Sequence, residues 1–137
     1  MFKLNLVTPD KRIVTDQELD EITLPAYAGE LNILPGHAPL MTTLEAGTLR
    51  YRLKGQPVHE LAVSQGYCQV SADGVTVLAE HAVTAGEVDA KVVQDHLRQN
   101  ESRLAAETLN DADYEKVQHE IARLKAELTL VSSKSAH

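Results

Sequence analysis

The sequence predicts an all-β N-terminal sandwich followed by a C-terminal α-helical hairpin, with residues 1–84 in the first unit and 85–137 in the second. Three observations carry this prediction. All seven glycines (29, 36, 47, 55, 66, 74 and 86) and all five prolines (9, 25, 35, 39 and 57) lie in the first 86 of 137 residues. Breakers at that density mark short strands joined by turns. Between them, apolar and polar side chains alternate with the period of a half-buried strand. Residues 87–137 contain neither Gly nor Pro and are rich in Ala, Leu, Glu, Lys and Gln, which favours helix.

Taken in order, Phe2, Leu4 and Leu6 alternate with Lys3 and Asn5 and predict a first strand. Leu49, Tyr51 and Leu53 alternate with Arg50, Arg52 and Lys54 and predict another. The turn Lys54-Gly55-Gln56-Pro57 follows, and Pro57 bars a central strand from starting there. Asp73-Gly74 suits a type I′ hairpin turn, which needs positive φ at both central positions. Val75, Val77 and Ala79 then alternate with Thr76 and Leu78, so apolar Leu78 predicts a strand covered on both faces. About eight to ten short strands are enough for a small sandwich. Its expected core includes Leu4, Leu24, Leu49, Tyr51, Leu61, Val63, Val70, Val75 and Val77.

Thr84-Ala85-Gly86-Glu87 reads as a capping box opening a helix over residues 87–108. Asn110-Asp111-Ala112-Asp113 is a polar turn that supplies N-caps for a second helix. Tyr114, Val117, Ile121, Leu124, Leu128 and Val131 follow at 3-4-3-4-3 spacing, a narrow apolar stripe suited to an antiparallel partner. The first helix answers with Val88, Val92, Val93, Leu97 and Leu104, interrupted by Asn100. Two striped helices joined by a short polar loop predict an αα-hairpin. So small a helical unit is marginal alone, so it needs a surface to dock on.

Thirteen Lys and Arg against 20 Asp and Glu give a net charge of −7, which argues against nucleic acid as a partner. The single cysteine, Cys68, excludes an internal disulfide and a Cys-based zinc site, and fits a reducing compartment. The N-terminus lacks a signal-peptide h-region, and no apolar run approaches the roughly 20 residues of a membrane span. These features predict a soluble, cytoplasmic protein.

The six histidines form no HExxH or HxH motif. His59-Glu60 and Glu80-His81 place neighbours on opposite strand faces. GxSxG, GxxxxGK[ST] and GxGxxG are absent, and Ser64 has no indicated catalytic partner. The expectation is no catalytic residue, no metal site and no cofactor. The densest local signal is the string from Gly29 to Leu40, where two prolines and two glycines impose a shape. It carries Glu30 and His37 and is either a recognition element or a structural corner.

Read together, these segments resemble the epsilon subunit of the bacterial and chloroplast rotary ATP synthase. Val7-Thr8-Pro9-Asp10 is similar to that family's first-strand exit, and Leu24-Pro25 with the Gly29–Leu40 string is similar to its central signature. Gly47-Thr48-Leu49, Ser64-Gln65-Gly66-Tyr67 and Gly74-Val75-Thr76-Val77-Leu78 resemble later strands, and Val88-Asp89 the start of its hairpin. Asn32 and Gln65 replace glycines common in the family; Asn32 is acceptable because Asn visits left-handed geometry. Val92 stands where nucleotide-binding members resemble Ile/Leu-Asp-x-x-Arg-Ala. Without that guanidinium a phosphate lacks a bidentate partner, so weak or no ATP binding is expected.

The resemblance implies a non-catalytic rotor subunit at the cytoplasmic face of the plasma (inner) membrane. Its β domain would contact the gamma shaft subunit and the membrane ring of c subunits, with Glu30 and His37 at that contact. Its hairpin would either fold on the β domain or extend to the alpha and beta subunits and block ATP hydrolysis. Arg98, Arg103, Lys116, Arg123 and Lys125 are the cations expected to meet the catalytic head, unless they are ordinary solvated surface paired with Glu120 and Glu127. Two rival readings are a cupin-like metalloenzyme, suggested by Glu45 and Gly47, and a free-standing adaptor with a coiled-coil tail.

Overall fold

The computed structural model describes residues 2–36, 38–53 and 55–135, without the side chains of residues 133–135. Ten strands form the N-terminal unit: β1 (Phe2–Val7), β2 (Arg12–Leu19), β3 (Glu21–Ala26), β4 (Gly29–Ile33), β5 (Leu40–Leu44), β6 (Gly47–Arg52), β7 (His59–Val63), β8 (Gly66–Val70), β9 (Gly74–Ala79) and β10 (Ala82–Val83). Their hydrogen-bonded order is β10-β7-β6-β3-β5-β8-β9-β1-β2, with β4 paired to β3 off this path. The β1–β9 pairing is parallel, and the other pairings are antiparallel. Strand β3 is the corner of the sandwich: residues 21–23 pair with β6, and Ala26 pairs with Leu44 of β5.

Alternation places Leu4, Leu6, Ile22, Leu24, Ile33, Leu44, Leu49, Val63, Val75 and Val77 in one buried core. Each fully buried side chain of this size contributes about 1.5–3 kcal/mol. Tyr51 is the exception to the expected core. It is half-buried at the rim, and its ring stacks on His59 with centroids 5.0 Å apart.

Four further expectations are corrected. Residues 29–33 are a strand, with Leu24 opposite Leu31 and Pro25 opposite Glu30; only the stretch beyond Ile33 is loop. Asn32 lies in that strand and keeps negative φ, its side-chain amide donating to Thr23 Oγ1 at 3.0 Å. The Asp73-Gly74 turn is not type I′, because neither residue has positive φ. Leu78 is not covered and remains 49% exposed.

The helical unit opens with a 3₁₀ turn, Ala85–Glu87, continues as α1 (Ala90–Ala106), and ends with α2 (Asp111–Ser135). The Thr84–Glu87 box therefore closes a 3₁₀ turn, not the long helix. The Glu87 carboxylate accepts from both the N–H and the hydroxyl of Thr84, which hold it below its usual pKa. Asp89 caps α1 itself, accepting from the N–H groups of Lys91 and Val92. Asn110 Oδ1 accepts from Asp113 N–H at 2.8 Å and caps α2.

Helix α2 packs against α1, and also against β6 and β7. Val117, Ile121 and Leu124 of the stripe are buried, whereas Tyr114 and Val92 are exposed and lie outside the seam. A second apolar face, Ala126 and Leu130, rests on Ala62 with Ala46, Val83 and Ala85 around it. Alanines make up most of this contact, around Leu130 and Val83, so its apolar area is limited.

Candidate partner-binding surfaces

In β5, β8 and β9 the side chains alternate between the core and an outer face. Cys68, Val70 and Val77 point inward, while Met41, Thr43, Tyr67 and Leu78 point outward. Register aligns Thr43 with Tyr67 and Tyr67 with Leu78 across neighbouring strands. The result is an outer face whose apolar side chains, Met41 at 67% and Tyr67 at 59% exposure beside Leu78, stand with polar Thr43, Gln69 and Thr76. Tyr27, in the β3–β4 turn, borders it at 77% exposure, its N–H donating to Thr43 O at 3.1 Å. A groove of about 780 Å³ runs between this face and α2, with Glu45, Glu80, Glu115 and His119 among its lining residues. Contiguous apolar surface rimmed by polar groups marks an interaction site. The only sequence signal for it was Leu78, an apolar residue in the polar register of β9.

At the other expected contact, Glu30 is not idle. Its carboxylate accepts from Arg50 on β6 at 2.9 Å across the hairpin surface. His37, its expected companion, lies outside the described residues. Gly36 beside it has φ of 85°, a geometry glycine adopts without penalty, and Leu34 is exposed. The loop thus presents an apolar side chain and leaves Glu30 on the adjoining strand.

The five cations of the hairpin do not form one exposed face. Arg98 pairs with Asp95 at 3.0 Å and Arg103 with Glu107 at 3.1 Å, both within α1. Lys116 and Lys125 are exposed and have no ion pair among the described residues. Arg123 is largely buried and holds two carboxylates, Glu120 and Glu127, the latter at 3.1 Å. It lines the cleft between α2 and the strand ends at Ser64, Gln65 and His81. Burial pushes the Glu127 carboxyl above its usual pKa, partly offset by the Arg123 charge.

Among the described residues no three His, Cys, Asp or Glu side chains are gathered to hold a metal. Ser64 is structural: its hydroxyl accepts from His81 N–H at 2.8 Å. Cys68 is fully buried, and desolvation raises its thiol to about 11.

The chain thus falls in the class of two-part folds made of a β-sandwich and a helical hairpin packed on it at β6 and β7. Residues 1–85 match the family model described as the ATP synthase Delta/Epsilon chain, beta-sandwich domain, and the chain belongs to that family. It is 45% identical over 136 residues to the ATP synthase epsilon chain of Bdellovibrio bacteriovorus, spanning 98% of this chain and 97% of the relative. It is 44% identical over 113 residues to that of Geobacter sulfurreducens, spanning 82% and 80%. In fold it resembles a chain of the Euglena gracilis mitochondrial ATP synthase, with a TM-score of 0.78 at 19% identity over 99% of this chain and 81% of that one. A chain from the central stalk and c-ring of the Tetrahymena thermophila mitochondrial ATP synthase gives 0.64 at 17%, over 95% and 96%. Family membership sets aside the cupin-like enzyme and the free-standing adaptor.

Proposed function

We infer that the chain is a non-catalytic central-stalk subunit of a proton-translocating ATP synthase, acting by docking and transmitting position rather than by chemistry. The observation that carries this is the uncovered apolar face of β5, β8 and β9. Tyr67 and Leu78 stand side by side there with no partner from the hairpin, the composition of an interface core. In this reading that face seats the gamma shaft subunit. Glu30, His37 and the loop after β4 meet the membrane ring of c subunits. The chain then sits peripherally at the cytoplasmic face of the membrane; no described helix is long and apolar enough to cross one.

The hairpin is the regulatory part. Docked, α2 covers β6 and β7. Extended, it would reach the alpha and beta subunits and block ATP hydrolysis, with Arg98, Arg103, Lys116, Arg123 and Lys125 presented to acidic groups. Of these, Arg123 is held between Glu120 and Glu127 of its own helix and faces the strand ends when α2 is docked.

The test is a double substitution, Tyr67→Ser with Leu78→Glu, in the assembled complex. Both side chains point away from the core, so the isolated subunit should keep its circular dichroism. Losing anchors at an interface centre costs about 2 kcal/mol or more, so retention on the shaft should fall at least about thirtyfold. Unchanged co-purification with the gamma subunit would refute the assignment of this face.

A further inference from the structure

Helix α2 meets the sheet through Ala126 and Leu130, and Glu127 is buried beside them at 7% exposure. A carboxylate in a small apolar contact needs compensation. Arg123 Nη1 supplies it at 3.1 Å, but the same guanidinium also holds Glu120. Two carboxylates therefore share one cation. From the β9–β10 turn, His81 faces the pair, its backbone pinned through Ser64, and Glu80 lines the same cleft. Glu115, Lys116 and His119 of α2 also line the cleft, and from α1 Arg103 lies with Glu120 and Lys116 along the α1–α2 seam. Glu80, Glu115, Glu120 and Glu127 outnumber Lys116 and Arg123 at this docking face, and one proton reduces the surplus negative charge.

We propose that Glu127 is a proton-operated latch of the hairpin: uptake of a proton by this carboxyl tightens the docking of α2 on β6 and β7, and its loss loosens it. The direction follows by linkage. The buried docked carboxyl holds its proton more firmly than the same group on a released, solvated helix. Docking is therefore strongest at low pH, where both forms are protonated, weakens as pH rises through the docked value, and levels off above it. Each unit separating the two values changes the docking equilibrium about tenfold. Glu120, left with Arg123 to itself after protonation of Glu127, keeps a full ion pair. The inference rests on the docked geometry and not on the stalk assignment, so it is measured on the isolated full chain.

Spin labels on Thr129→Cys and Gln69→Cys, both exposed, report the distance between α2 and the sheet; native Cys68 is buried and stays unlabelled. The docked fraction of the otherwise wild-type chain should fall several-fold from about pH 4.5 to about pH 8. Glu127→Gln, which carries the neutral form at every pH, should stay docked throughout and exceed the wild-type docked fraction at about pH 8. A flat wild-type profile overturns the latch. So does a Glu127→Gln chain that opens like wild type. A response that survives in Glu127→Gln but vanishes in His81→Gln assigns the sensor to His81 and overturns it as well. Failure of any of these leaves the shaft-binding face untouched, because that face is tested by co-purification.

Discussion

A Cβ atom added to Gly66 would lie 1.8 Å from the carbonyl oxygen of Leu78. Its φ is not in the left-handed region, so conformational freedom does not explain the glycine. Close approach of two backbones does, since Gly66 pairs with Ala79 where β8 and β9 cross tightly. The same crossing sets Tyr67 beside Leu78 on the outer face, so this glycine supports the proposed shaft contact.

Gly66→Ala should therefore destabilise the subunit by about 2 kcal/mol or more, because the clash is with backbone and cannot be relieved by rotating a side chain. Urea unfolding checks this. A midpoint shift equivalent to less than about 0.5 kcal/mol would show that the strands separate without loss.

Cys68 should resist alkylation while the chain is folded. Its side chain has no exposure, and burial raises the thiol from 9.0 to about 11, so the reactive thiolate is scarce. An acid whose folded value is raised contributes stability that is intact below the unfolded value. Stability should hold up to about pH 9 and decline as pH climbs toward 11. Iodoacetamide labelling with and without urea at about pH 8 separates the two states; rapid labelling without urea would contradict the burial.

Isolated protein should bind ATP weakly or not at all. Val92 puts an exposed isopropyl group on the first turn of α1, and Arg98 is engaged by Asp95. Calorimetric titration showing micromolar affinity would mean that Lys91 and a freed Arg98 together replace the missing guanidinium.

Deleting residues from Asp111 onward should leave assembly and ATP synthesis largely intact and raise ATP hydrolysis by the complex. The sandwich core is formed by residues 2–82 and draws nothing from α2, so the truncated subunit retains it. The measurement is hydrolysis by complexes carrying the intact or truncated chain. Equal rates would make the hairpin a passive brace.

The division of the chain was legible because glycine, proline and side-chain period act locally. An array of about eight to ten short strands, a helical pair and a cap in the Asn110–Asp113 turn follow from residues within a few positions of one another. The strand at Gly29–Ile33 was hidden because the glycines and prolines around it signal turn and strand edge alike. Period two told which side of β9 Leu78 occupies, but not that nothing covers that side. The 3-4 spacing of α2 placed Val117, Ile121 and Leu124 in a seam. It was silent on Ala126, Glu127 and Leu130, whose burial depends on Ala62, some sixty residues earlier in the chain. Sequence by itself determined which residues share a face of a strand or helix, since that is set by backbone geometry over a few residues. Only the tertiary structure decided which faces meet: spacing already offered Glu120 and Glu127 as intrahelical partners of the hairpin cations, but not that Arg123 lines the cleft against Ser64 and His81.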